Sequence, residues 1–402
     1  MSPRSIIVAG AGIGGLTAAL ALARNGFRVI VLEQAERLEE TGAGIQLSPN
    51  AARILIDLGL ESRLRPSAVA PAALRVLDGV TGREIVRMPL GEYAEQRYGA
   101  PYWAIHRGDL QAALAAAAAS HPDITVKLGM PVEDFVAHPN GLTVSARGRS
   151  GVSDAHGVAL IGADGLWSLV RKRIGHRAPP RFAGRTAWRA LVPARAVAPE
   201  FREPLIHLWL GRDAHLVHYP VKAGRVINIV VITADRWNAP GWSEPAGRAE
   251  LIPRLAAAGW TPQARTLVNL PEAWLKWALF DRRPIWRWSR GRVALLGDAA
   301  HPVLPFLAQG AAMAIEDAAV AAQCLARMPN DAEAALRTYA ALRRARAWKV
   351  QQAAARNGRR YHRGGAASAL RDTAMRMIGG ARLLHHYDWL YDWRPPAAFS
   401  IN

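Results

Sequence analysis

Cysteine and lysine are both scarce in this sequence. One cysteine, Cys324, stands in 402 residues, which excludes an internal disulfide framework and fits a reducing, cytoplasmic setting. Lysine occurs only at Lys127, Lys172, Lys222, Lys276 and Lys349, so a net charge of +19 is carried almost wholly by arginine. Those arginines are scattered, with no long basic run and no nucleic-acid motif. A solvated basic surface is expected, and no specific nucleic-acid partner. Also missing is any run of about 20 uncharged apolar residues able to span a bilayer. The nearest approach, Ser5 to Ala23 behind Arg4, ends in Ala21-Leu22-Ala23 like a secretory signal. Gly10, Gly12, Gly14 and Gly15 interrupt it, however, and it runs on into Arg24-Asn25-Gly26. No membrane partner and no export are expected. Internal repeats and linkers are absent, and no metal site is expected.

Half of the residues are apolar, enough core for two domains. Ile6-Ile7-Val8-Ala9 has the form of a buried parallel strand. It runs into Gly10-Ala11-Gly12-Ile13-Gly14-Gly15, and an alanine- and leucine-rich helix follows from Leu16 to Asn25, stopped by Gly26. A second strand, Arg28 to Leu32, ends at Glu33. In this order Gly10 permits a tight turn, Gly12 lets backbone approach a pyrophosphate, and Gly15 brings helix and strand together. The helix N-terminus then faces phosphate, with Glu33 placed for ribose hydroxyls. The unit suits the adenosine of NAD or of FAD equally.

Later segments bear on that choice. Thr41 to Asn50 is a small-residue loop leading to a helix through Leu58. Ile161-Gly162-Ala163-Asp164-Gly165 is a strand followed by an acid, then a helix that starts basic. Arg292 to Pro302 contains another buried strand ending in Gly297-Asp298, and Gly310 opens an alanine-rich helix through Ala318. A carboxylate just past a strand can hold a ribityl or ribose hydroxyl. A helix N-terminus at Gly310 can stabilise negative charge on a flavin ring.

With these three motifs in order, at Gly10–Gly15, Asp164-Gly165 and Gly297-Asp298, the sequence resembles the single-component FAD-dependent aromatic hydroxylases over nearly its whole length. The resemblance implies FAD as cofactor, NADH or NADPH as a transient co-substrate, and O2. It implies cofactor binding by Gly10, Gly12, Gly14, Gly15, Glu33, Gln34, Gln46, Arg107, Val132, Asp164, Asp298, Gly310 and Ala311. Arg107 would meet the phosphate-ribityl chain and Val132 the adenine, while Asp298 would hold the ribityl region. Asp164 would serve flavin and nicotinamide together. The missing second GxGxxG agrees with a nicotinamide nucleotide that visits without a domain of its own.

Gly42 to Gln46, Pro49-Asn50 and Gly297 to Pro302 are most similar to the branches acting on salicylate, 3-hydroxybenzoate or 6-hydroxynicotinate, and Tyr387 to Leu390 resembles the 3-hydroxybenzoate branch. The implied substrate is a small aromatic acid that already bears a ring hydroxyl, hydroxylated through a flavin C4a-hydroperoxide. Two positions depart from those branches. Gln46 stands where the hydroxynicotinate branch has histidine, and Pro305 stands where the 3-hydroxybenzoate branch has glutamine. Deprotonating the substrate phenol would enrich the ring, a duty suited to histidine. Glu203 to Ile232 has the pattern of several strands, one placing His215, Val217 and Tyr219 on one face and Leu216 and His218 on the other. By resemblance His215 is the base, with Tyr219 orienting or relaying to the substrate hydroxyl. His301 and Cys324 are expected to be structural, and Trp188, Trp209 and Trp274 to fill core. A larger heterocyclic or polyketide substrate, or a flavoprotein that hydroxylates nothing, stays open.

The expected fold class is α/β. A parallel-sheet FAD-binding domain takes residues 1–70, 100–178 and 280–325, and a mostly antiparallel-sheet substrate domain takes 71–99 and 179–279. A helical C-terminal segment takes 326–402, with Arg343-Arg344-Ala345-Arg346 on an exposed face and a homodimer as the expected assembly.

Overall fold

The computed structural model describes residues 4–38, 43–149, 151–239 and 243–396; Thr41 and Gly42 of the small-residue loop lie outside them. The first apolar run forms the strand Ser5–Ala9, buried from Ile6 onward. It pairs in parallel with Arg28–Leu32 on one side and Ala159–Gly162 on the other. Ile124–Lys127 extends one edge in parallel and Val293–Leu295 the other, where the short antiparallel strand Ser289–Arg290 completes six strands. Strands covered on both faces consist of continuous apolar residues rather than alternating ones, as Ile6 to Ala9 and Ala159 to Ile161 do. The helix Ile13–Arg24 lies on this sheet and against the helix Gly310–Arg327. An antiparallel meander, Val132–His138, Gly141–Gly148 and Gly151–Gly157, stands beside it.

A second sheet has eight strands. Their order is Glu244–Ala246, Trp274–Asp281, Arg181–Pro193, Val226–Ala234, Ala214–Val221, Leu205–Gly211, Ala73–Asp78 and Glu84–Pro89. Every neighbouring pair is antiparallel except Leu205–Gly211 with Ala73–Asp78. Period-two alternation gives this sheet two different faces. One presents Trp188, Trp209, Leu216 and Val231 to the helices Arg248–Ala257 and Pro262–Asn269. Trp274 joins that cluster, so all three tryptophans fill core there. The opposite face presents Ala187 and Ile232 to Phe306, and Tyr219 to the first layer.

The C-terminal segment is helical as expected. Its longest helix, Ala332–Tyr361, is capped by Asp331, whose carboxylate accepts the Ala334 N–H at 2.9 Å. The arginines on it need a correction. Arg343 is 1% exposed; it donates from Nε to Asp317 Oδ1 at 2.7 Å and pairs with Glu316 at 2.7 Å. Arg346 also grips Glu316, at 2.6 and 2.7 Å, and both guanidinium groups stack on Trp393. Leu336, Ala340, Arg343, Ala347 and Val350 recur at three- and four-residue spacing, so Arg343 falls within the buried stripe. Two acids buried on the facing helix need cations there. Only Arg344 of the group turns outward, to the Trp286 carbonyl. Among the described residues no helix is long and apolar enough to cross a membrane.

Candidate active site

The glycine turn after Ser5–Ala9 is shaped by contact as well as by conformation. Gly10 has φ +102°, and a Cβ there would lie 2.5 Å from the Ala163 carbonyl oxygen. A Cβ on Gly15 would lie 1.9 Å from the Gly10 oxygen, and one on Gly14 would strike Leu296 at 2.7 Å. Those positions bring helix, strand and neighbouring loop together. Gly12 differs, because a Cβ there would meet nothing within 4 Å, and the same holds for Gly310 at the head of its 18-residue helix. Two helix N-termini thus present backbone N–H groups to open space, with half-buried Ala311 following Gly310. Helix N-termini attract anionic groups. Both segments fit the phosphate and ring of FAD.

Glu33 ends the second strand, and its carboxylate accepts Ala11 N–H at 2.6 Å and Ala35 N–H at 2.9 Å. It therefore shapes the glycine loop, with lone pairs left over for a ligand. Gln34 is exposed beside it. Val132 begins its strand half-buried and pairs with Ala146.

The two acid-bearing turns are linked but differently used. Asp164 accepts Ser168 Oγ at 2.6 Å and Val170 N–H at 3.0 Å, and Ser168 caps the helix Leu169–Arg173. Arg171 of that helix donates to the Ala299 and Ala300 carbonyls at 2.9 and 3.1 Å. The first turn thereby clamps the second. Asp298 has no hydrogen-bond partner among the described residues and is exposed. Solvent reaches it, yet the surrounding protein pushes its carboxyl up, against the pull of His301 and Arg107. Burial also depresses Arg107, with Asp298 opposing the shift. His301 is structural: its Nε2 meets Asp317 at 2.5 Å and its ring stacks on Trp288. Cys324 is buried, and that burial pushes its thiol up to about 12.

A buried polar chain fixes the approach to Gly310. Gln309 donates to Ser48 Oγ at 2.8 Å, Ser48 donates to Asn50 at 2.6 Å, and Asn50 donates to Glu316 at 2.6 Å. Gly44 N–H donates to Asn228 of the eight-stranded sheet at 2.7 Å, which ties that sheet to the Gly44–Leu47 strand. Gln46 on the same strand accepts the Tyr102 hydroxyl at 2.7 Å. It also faces Tyr219, whose phenol burial raises above its ordinary range, with Arg189 and Gln46 opposing.

His215 and Tyr219 occupy the sheet face turned to these loops, four residues and about 13 Å apart along one strand. His215 Nδ1 lies 2.7 Å from His362 Nε2, and its ring packs against Phe306 and Tyr361. Burial depresses both histidines, His362 to about 3. No local motif in the sequence points to His362, Tyr102 or Arg189. Only fold topology brings His362 to His215, 147 residues away, whereas Arg189 in Trp188-Arg189-Ala190 was detectable as a cation inside an apolar strand. A surface groove of about 900 Å³, lined by Trp286, Arg287, Arg290 and Arg344 among others, includes none of the residues expected to bind cofactor or substrate.

Comparison with known proteins agrees with this geometry. Residues 4–354 match the FAD binding domain family. A 3-hydroxybenzoate 6-hydroxylase of Aquipseudomonas alcaligenes is 38% identical over 388 residues, covering 96% of this chain and 97% of that protein. A 6-hydroxynicotinate 3-monooxygenase of Pseudomonas fluorescens is 37% identical over 363 residues, covering 87% and 90%. A salicylate hydroxylase substrate complex superposes with a TM-score of 0.81 at 26% identity, covering 98% of this chain and 96% of that one. The chain belongs to the FAD binding domain family, within its flavin-dependent monooxygenases of the aromatic hydroxylase type.

Proposed function

We propose that the protein hydroxylates a small aromatic acid already bearing a ring hydroxyl, with NADH or NADPH and O2 as co-substrates. The observation that carries this is the sheet face holding His215 and Tyr219, which abuts Phe306 in the segment leading to Gly310. Three relatives and neighbours named for hydroxybenzoate, hydroxynicotinate and salicylate chemistry support the substrate class. Bound flavin would supply the oxygen-activating redox chemistry. The chain's own residues do the rest. His215, kept neutral by burial, takes the phenolic proton of the substrate, and His362 behind it orients the ring. Tyr219 orients the substrate from the other end of the face. Gly10, Gly12, Gly14, Gly15, Glu33 and Gln34 hold the adenosine and pyrophosphate side of FAD, with Val132 at the adenine. Arg107, Asp164, Asp298, Gly310 and Ala311 hold its ribityl and ring side, and Gln46 supports the ring loop. In this reading residues 1–70, 100–178 and 280–325 form the cofactor unit, and 71–99 with 179–279 form the substrate unit. A cytoplasmic setting follows from the near-absence of cysteine. Pairing of two chains through the 326–402 segment is testable by sedimentation.

The test is oxidation of NADH and NADPH by the flavin-loaded protein, with and without a panel of hydroxybenzoates and hydroxynicotinates, each product checked by mass. One acid should stimulate oxidation strongly and gain one oxygen atom. A background rate with every acid, and no oxygen gained, would reject the substrate class.

A further inference from the structure

Arg189 is a half-buried cation, its Nε fully covered, with no anion beside it. It lies on the strand Arg181–Pro193, on the face it shares with Ala187 and opposite the helix-covered core. Its guanidinium sits 4.6 Å over the Trp277 ring. Enclosure lowers its pKa to about 10, with Tyr219 opposing the shift, Arg107 adding to it, and no Asp or Glu contributing. It therefore stays charged at neutral pH. Its Nε is buried without a hydrogen-bond partner, and no hydrogen bond or ion pair of Arg189 occurs among the described residues. Other arginines with basicity depressed by burial find acceptors. Arg53 donates to the Tyr98 and Trp393 carbonyls, Arg171 to Ala299 and Ala300, Arg282 to Leu166 and Ala178, and Arg185 to Asp213. A charge whose covered donor lacks a partner is unfavourable unless a ligand supplies one.

We propose that Arg189 receives the carboxylate of the aromatic substrate and so sets the requirement for an acid. This rests on reading the chain as an aromatic-acid hydroxylase. The Trp277 ring holds the guanidinium plane, leaving its edge for a two-bond fork to a carboxylate, which lysine cannot reproduce. Tyr219 acts electrostatically on the same guanidinium from the next row of the face. In register Arg189 lies level with Val217, two strands away and between His215 and Tyr219 on the same face, so an aromatic ring laid over Val217 and Val230 is within reach of all three side chains. The carboxylate then meets Arg189 while the ring hydroxyl points to His215.

The experiment titrates FAD-loaded protein with benzoate and with benzamide, following the flavin absorbance, so that binding is scored without turnover. Wild type should prefer benzoate. R189Q should weaken benzoate by roughly 30-fold and shift benzamide by less than about threefold, with FAD retained. R189K should fall between. Equal effects on the two ligands, no effect on benzoate, or a wild type indifferent to the carboxylate would overturn the proposal. If R189Q sheds FAD or fails to fold, R189K decides, since it must weaken benzoate selectively with FAD in place. The two readings fail separately. Benzoate bound through Arg189 without hydroxylation of any acid rejects the function proposed above, whereas hydroxylation of a phenol insensitive to a carboxylate rejects this one.

Discussion

Asp164 and Asp298 both follow strands of the six-stranded sheet, each next to a glycine, yet they end in opposite situations. Asp164 is held by Ser168 and Val170 and helps to cap a helix. Asp298 has no hydrogen-bond partner among the described residues and is exposed. The same contrast separates Arg343, held by two buried acids, from Arg189, which has no acceptor. A polar group whose hydrogen-bonding capacity is satisfied inside the fold is scaffold. Asp298 and Arg189, left unsatisfied on the sides turned to the glycine loops and to the face of His215, are where a ligand is expected to complete the protein.

The comparison is broken most severely at the scaffold end. Arg343→Ala removes the one cation that Glu316 and Asp317 share, and a loss of about 3–5 kcal/mol in urea unfolding is expected. A change below about 1 kcal/mol would show that Arg346 and His301 suffice alone.

Next come His207 and His218, stacked at 4.3 Å on the helix-covered side, their ring nitrogens without hydrogen bonds. Burial holds His207 down to about 4 and His218 well below its ordinary value. The unfolded chain takes up these protons below about pH 6.5, while the folded chain resists until near pH 4 or lower. Stability is therefore complete above pH 6.5 and falls as the pH drops toward 4. His218→Leu should reduce that slope by up to about 1.4 kcal/mol per pH unit, and an unchanged slope would show that His218 is protonated in the fold.

Asp164→Ala should cost about 1–2 kcal/mol by removing a helix-capping contact, seen as a lower denaturation midpoint. The smallest effect belongs to the exposed pair of Glu61 with Arg65. Glu61→Gln should leave the melting curve within error of wild type, and a clear shift would mean that surface pairs matter more here than their exposure suggests.

Local sequence signals were enough for the glycine turn, its flanking strands and the Gly310 helix, because there the motif spacing and element order are one signal. The alternation of His215 and Tyr219 against Leu216 and His218 was equally legible. The order of the eight-stranded sheet was not, because Leu205–Gly211 pairs with Ala73–Asp78 across some 130 residues. His362 was invisible for the same reason. Arg343 was misplaced on an exposed face because composition treats arginine as surface. Its spacing from Leu336, Ala340 and Ala347 carried the opposite message and outranked composition. Arg189 was passed over as one charge among many, although an arginine between Trp188 and Ala190 in an apolar strand already needs an explanation.

The most direct measurement is the affinity of FAD for Asp298→Asn and Asp164→Asn, by flavin fluorescence, beside the unfolding free energy of each apoprotein. Asp298→Asn should raise the FAD dissociation constant at least about tenfold and leave stability within about 0.5 kcal/mol of wild type. Asp164→Asn should lower stability first. If Asp298→Asn instead binds FAD as tightly as wild type and unfolds more easily, Asp298 is scaffold, and unsatisfied polar groups do not mark the ligand site in this protein.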